Sequence, residues 1–155
     1  MRALVQRVSE ASVSADGREV ARIGPGLLVL LGVRVGDGPE QADRLAGKLE
    51  RLRIFEDAEG KMNLSLKDVR GQLLAVPQFT LAADTRSGAR PSFSSAASPE
   101  AAERLFKRFV EKVEEWIPRV ATGRFGADMQ VSLVNDGPVT FWLQASPRTQ
   151  SPNKS

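Results

Sequence analysis

The chain has 155 residues, of which 41% are hydrophobic and 26% charged, enough for one full-sized domain with a core of its own and no more. It contains no His and no Cys, which excludes a Ser-His-Asp triad, a Cys-His pair, a zinc finger and any histidine-ligated metal. A net charge of +3 is compatible with a polyanionic partner, but no dense Lys/Arg tract forms a nucleic-acid arm. An enzyme of this composition works with carboxylates, Lys or Arg, a hydroxyl, backbone amides or a group on the substrate. Glu56-Asp57-Ala58-Glu59-Gly60 is acidic but lacks the ligand spacing of a calcium loop, so it reads as a solvated turn, and neither metal nor cofactor is expected. No apolar run reaches a membrane span and charge interrupts the N-terminus early, so a cytoplasmic protein is expected.

In chain order, Ala3 to Val8 reads as a first strand with Arg7 near its exit. Ser12 to Ala15 and Arg18 to Ile23, joined by Asp16-Gly17, form a hairpin signal. Leu27 to Val33 is apolar on both faces, as a strand covered on both sides requires. Pro39 sits where a helix starts, and Ala42, Leu45, Ala46, Leu49 and Leu52 recur at helical spacing. Arg53-Ile54-Phe55 reads as a short strand, whereas Lys61 to Leu66 is ambiguous.

Gln72 to Val76 is a buried strand that meets Pro77 and then presents Gln78, Phe79 and Thr80 before a polar loop running from Ala82 to Phe93. Polar groups at a strand exit are firmly held and reachable, which is where sites tend to form. Ser98-Pro99-Glu100 starts a second helix with a buried stripe of Leu105, Phe106, Phe109, Val113 and Trp116, stopped by Pro118. Thr122 to Phe125, Val131 to Val134 and Val139 to Gln144 read as strands, the last two joined by Asn135-Asp136-Gly137-Pro138. Only X-Pro bonds adopt the cis form cheaply; trans is favoured on base rates, while a cis Gly137-Pro138 would aim two carbonyls the same way. The predicted fold is α+β, a single domain over residues 1–145. It has a mostly antiparallel, curved and barrel-like sheet and two covering helices, and residues 146–155 form a polar disordered tail.

Together these stretches resemble the D-aminoacyl-tRNA deacylase family, from Met1 to about Gln144. The likeness includes Arg7-Val8 with Ala11-Ser12-Val13, Gly26 to Val33, Leu52 to Phe55 and Gly60 to Asn63. It continues through Gln78-Phe79-Thr80-Leu81, Arg90-Pro91-Ser92-Phe93 and Asn135 to Thr140. Pro77 departs from the family pattern, which has Ser there. The resemblance implies a homodimeric hydrolase of the ester linking a D-amino acid, or glycine mischarged on tRNA-Ala, to the terminal adenosine of tRNA.

It further implies a cis Gly137-Pro138 that crosses into the partner's site, receives the α-amino group and leaves no room for an L side chain, with Arg7 orienting that loop. Catalysis then falls to Gln78, Phe79 and Thr80 in one of two ways. Either the Thr80 hydroxyl attacks, or the amides of Phe79 and Thr80 hold the carbonyl oxygen while the ribose 2′-OH activates water; the absence of any side-chain base favours the second. Phe125 and Met129 are candidates for contacting the adenosine, and Arg86, Arg90 and Lys61 are either phosphate contacts or solvated loop charges. The alternatives are a module that edits L-seryl-tRNA and a non-catalytic RNA-binding protein.

Overall fold

The structure, a computed structural model, describes residues 1–148. Its centre is one long strand, β1 (Arg2–Ala15), where local pattern predicts two. One edge of β1 is shared: β2 (Arg18–Ile23) pairs with Ala11 to Ala15, and β3 (Gly26–Gly32) pairs with Arg2 to Val8. The predicted hairpin at Asp16-Gly17 is therefore present, but it is the end of β1 that forms it.

Helix α1 (Pro39–Arg51) follows, with Gln41 Oε1 accepting from the Gly38 N–H at 2.7 Å to close its first turn. Ala42, Leu45, Ala46 and Leu49 are buried as the periodicity requires, and Leu52 is the residue that ends the helix. Strands β4 (Arg53–Glu56) and β5 (Met62–Ser65) make a small separate ladder, resolving the ambiguous stretch as a strand.

Strand β6 (Gln72–Pro77) runs parallel to β3, and β7 (Val120–Thr122) runs parallel to β6. Helix α2 (Pro99–Val113) lies between them in the chain, its Ser98 hydroxyl accepting from the Ala101 N–H at 3.3 Å. The helix ends at Val113, so Trp116 lies in the turn after it and is only partly buried. Strand β8 (Met129–Gln144) pairs antiparallel with the other edge of β1. Because β2 comes back beside β6 and β7, the sheet curls nearly into a barrel.

The alternation of β3 explains why it is apolar throughout. Leu27, Val29 and Leu31 face the helices with Leu45, Leu49, Leu73 and Phe109, while Leu28 joins Val8, Val13, Ile23, Leu74 and Val76 inside the curl. Phe109 is fully buried between these layers, and truncating such a residue costs about 3–5 kcal/mol. No described helix is long and apolar enough to cross a membrane. Ser146, placed in the tail by the sequence, still has its carbonyl accepting from Arg44 at 2.9 Å; the rest of the expected tail, 149–155, lies outside the described residues.

Candidate functional site

Strand β6 ends against the tip of β3, where Gln78 N–H donates to the Leu31 carbonyl at 2.8 Å. Residues Phe79–Ala82 then form a short 3-10 turn instead of continuing the strand. The turn lies directly on Gly32: a Cβ there would sit 2.8 Å from Leu81 Cβ and 3.0 Å from the Gln78 carbonyl, so a glycine is required for the approach. Arg2 NH1 caps Leu81 O at 2.9 Å, and Ser95 Oγ donates to Ala82 O at 2.5 Å, which fixes the turn from both sides.

Pro77 does not break the sheet. Gln78 directs its N–H to β3, so Pro77 faces β7, which has already ended at Thr122. Just past that end Gly123 N–H still donates to Ala75 O at 2.9 Å, and Pro77, with no N–H to return, closes the ladder at the end of the sheet.

Within the turn, Leu81 N–H donates to Gln78 O and Ala83 N–H to Thr80 O, both at 3.2 Å. The first N–H groups of a helical turn have no acceptor inside it. Those of Phe79 and Thr80 find none elsewhere among the described residues. The Thr80 hydroxyl accepts from Gln78 Nε2, and among the described residues no carboxylate or lysine hydrogen-bonds to it.

Phe79 is 63% exposed and rests on Phe93, ring centroids 5.3 Å apart. Beside it opens an apolar pocket of about 270 Å³, lined by Leu31, Val33, Pro77, Gln78, Phe79, Ala96, Ala97, Pro99, Ala102, Phe106 and Phe125 to Ala127 with Met129. Phe125 and Met129 thus meet Gln78 and Phe79 around one cavity. Phe125 does so from a loop, since β7 stops three residues before it, contrary to the predicted strand. Phe106, Pro99 and the Ala96-Ala97 pair carry no site signal in the sequence. Phe106 read there as core, and only its position 6.4 Å from Phe125 shows that it also floors the pocket.

Gly137 and Pro138 lie elsewhere. The sequence places a connection between two strands at Asn135 to Pro138, but β8 runs through in one direction, pairing with β1 on both sides of that segment. Opposite Gln6 and Val8 stand Thr140 and Asn135, so residues 136–139 bulge out as one loop. The Gly137-Pro138 bond is cis.

Gly137 has φ +128, and an added Cβ would meet Val139 Cγ2 at 2.6 Å and Val139 N at 3.1 Å. Arg7, 7% exposed, reaches under the bulge: Nε donates to Asp136 O and meets Asp136 Oδ2, both at 3.3 Å, while NH1 donates to Ile54 O at 2.7 Å. Asn135 Nδ2 bridges Arg7 O and Val139 O at 2.9 and 3.0 Å.

Arg7 pairs with Leu27 at the start of β3, whereas the Phe79 turn sits on Gly32 at its end. Five residues of strand separate them, about 17 Å at the rise of a β-strand. Within one chain the turn and the bulge form no common site. Around the bulge, Leu133, Val134, Phe141 and Trp142 are 37 to 50% exposed on a strand whose second edge has no partner among the described residues.

A barrel-like α+β domain thus carries a backbone-lined turn beside an apolar pocket, with no side-chain base against the Thr80 hydroxyl among the described residues. A family model described as D-Tyr-tRNA(Tyr) deacylase matches residues 4–144. D-aminoacyl-tRNA deacylases from Ralstonia nicotianae and Ruegeria pomeroyi are 58% and 59% identical; the matches cover 94% and 92% of this chain and 90% and 99% of those proteins. The chain belongs to the D-aminoacyl-tRNA deacylase family, hydrolases of the ester bond of aminoacyl-tRNA.

Among solved structures, one titled c-Myc DNA Unwinding Element Binding Protein superposes with a TM-score of 0.90 at 38% identity, covering 95% of this chain and all of that one. A probable eukaryotic D-amino acid tRNA deacylase, at 19% identity, a TM-score of 0.77 and coverage of 93% and 98%, shares the fold.

Proposed function

We propose that the protein hydrolyses the ester of D-aminoacyl-tRNA in the cytoplasm, releasing D-amino acid and tRNA, and also clears glycine mischarged on tRNA-Ala. The observation that carries this reading is the apolar pocket beside two unpartnered amides in a family of aminoacyl-tRNA hydrolases. The terminal adenine enters between Phe125, Met129 and Phe79, which aligns the 3′ ester with the turn. The ester carbonyl oxygen accepts from the N–H groups of Phe79 and Thr80, donors worth about 10²–10³ in rate each when aimed at a developing oxyanion. The ribose 2′-OH activates water, water adds to the carbonyl carbon, and the ester C–O bond breaks with a proton passing to the 3′ oxygen. Gln78 holds Thr80 in place, and no titrating side chain is needed.

The amine end of the substrate is read by a second copy of the chain. Gly137 and Pro138 of the partner subunit supply carbonyl oxygens to the α-amino group and crowd the position an L side chain needs. Achiral glycine has nothing to clash and passes. Two features favour a homodimer: the separation of turn and bulge within one chain, and the exposed apolar residues that flank the bulge along an unpaired edge. Arg7 sets the bulge's direction.

Deacylation measured on D-tyrosyl-, glycyl-, L-tyrosyl- and L-seryl-tRNA tests the reading. Turnover of the first two and not of the L-esters is expected. Turnover of L-seryl-tRNA alone, or salt-sensitive binding without turnover, contradicts it.

A further inference from the structure

Next to the Phe79–Ala82 turn is a second cleft, of about 240 Å³. It is lined by Arg2, Arg34, Ser95 and Ala83 to Arg86. The two cavities are lined by neighbouring residues: Arg34 lines the cleft and Val33 the pocket, and Ser95 lines the cleft and Ala96 the pocket. We infer that this cleft binds a phosphate, the internucleotide phosphate on the 5′ oxygen of the terminal adenosine whose base occupies the pocket. The assignment rests on the tRNA reading above for the identity of the phosphate, and on the cleft alone for its chemistry.

The charges in the cleft do not cancel. Asp84 is taken up by Arg86, whose Nε and NH2 reach its two oxygens at 3.0 and 2.7 Å. Asp37, the other acidic group near Arg2, is held by the Met1 amine at 2.7 Å. Among the described residues neither Arg2 nor Arg34 forms an ion pair, so two guanidiniums line one cleft without a direct ion-pair partner. Burial, and next the charge of Arg34, hold the Arg2 guanidinium below its ordinary pKa against the opposing charges of Asp37 and Asp84.

The donors are directional as well. Arg2 Nε and Arg34 Nε are both buried and have no acceptor among the described residues. Buried donors are normally paired, so neither guanidinium lining the cleft is fully satisfied by the protein, and guanidiniums suit an acceptor with several oxygens. Arg2 is already oriented, with NH1 on Leu81 O and its guanidinium 5.9 Å from the Trp142 ring centre. Arg34 has no such duty: its backbone bridges Ala96 and its N–H meets Asp37, while its guanidinium supports nothing described. A binding role accounts for that side chain where a structural one does not. A phosphate here would also tether the substrate to Arg2, and through Leu81 O to the turn that holds the ester.

Adenosine and 5′-AMP, which differ only by the phosphate, are the probes. The wild-type protein should bind 5′-AMP about tenfold more tightly than adenosine at low salt, and Arg34→Gln should bind the two alike. Arg34→Lys, which keeps the charge and loses the fork, should fall between them. Absence of discrimination in the wild type, or its persistence in Arg34→Gln, overturns the phosphate cleft.

With D-tyrosyl-tRNA, Arg34→Gln should raise KM about tenfold and reduce the salt slope by about one, leaving kcat in place. An unchanged KM beside lost 5′-AMP discrimination overturns the assignment to tRNA in favour of a free nucleotide. Failure of the wild type to hydrolyse D-tyrosyl-tRNA while discriminating 5′-AMP contradicts the proposed activity and leaves the cleft standing.

Discussion

The Phe79 turn and the Gly137 bulge are both places where a strand stops pairing, and they do so in opposite ways. At the turn, β6 ends: the chain curls onto Gly32, is capped by Arg2 and Ser95, and leaves two N–H groups open beside a pocket. At the bulge, β8 carries on: four residues leave the ladder, are held from beneath by Arg7 and Asn135, and project among exposed apolar side chains. The turn therefore presents donors beside a cavity, whereas the bulge presents backbone carried outward on a strand edge. In the proposed reading the turn receives the ligand and the bulge is inserted into the site of a second copy, so the two are halves of one site on different copies of the chain.

The comparison is broken most severely at the bulge. Gly137→Val should lower deacylation about 10²-fold or more, the cost of displacing a positioning group by about 1 Å, because its Cβ overlaps Val139. The thermal midpoint should fall as well, since the displaced Val139 belongs to the core, but activity should fall far more than the folded fraction, which steady-state kinetics beside a melting curve check. On the turn's side, Phe125→Ala should raise KM roughly tenfold to a hundredfold and spare kcat, the scale of removing one aromatic contact to a base.

Thr80→Ala, which keeps the backbone N–H, should lower kcat by less than about tenfold, as the hydroxyl has no base to activate it. Near-complete loss would instead make Thr80 the nucleophile. The smallest effect is in the loop beyond the turn. The Arg86 guanidinium, then the Arg86 N–H, hold the Asp84 carboxylate down to about 2 from 3.8. Because the folded value is the lower one, the pair's contribution to stability is complete above the unfolded pKa and is lost as pH falls through about 2. NMR titration should find that midpoint in the wild type and return it toward 3.8 in Arg86→Ala.

Local signals were read well where the cause is local. Ser98-Pro99 starts α2, Pro39 starts α1, and Asp16-Gly17 turns β1 into β2 because caps and turn residues act within a few positions. The motif at Gln78 to Thr80 was legible as a strand exit, and its turn conformation follows from Gly32, which no local pattern connects to it. The bulge was misread for the same reason. Gly and Pro between apolar runs signal a reversal, and only pairing with β1, about 130 residues earlier, keeps β8 straight. Phe106 and Phe125 could not be assigned to the pocket from spacing, since a half-buried aromatic in a helix or beside a strand looks like core. Arg34 carried no signal at all: its lack of a partner exists only in three dimensions.

The most direct test of the two-copy site is complementation between inactive variants. Met129→Arg, which fills the pocket, and Gly137→Val, which displaces the bulge, should each be inactive alone. Mixed and allowed to exchange subunits, they should recover roughly a quarter of wild-type activity, because half of the dimers are mixed and each mixed dimer has one intact site. No recovery on mixing, with subunit exchange demonstrated, would mean that turn and bulge serve the same chain and would contradict the account.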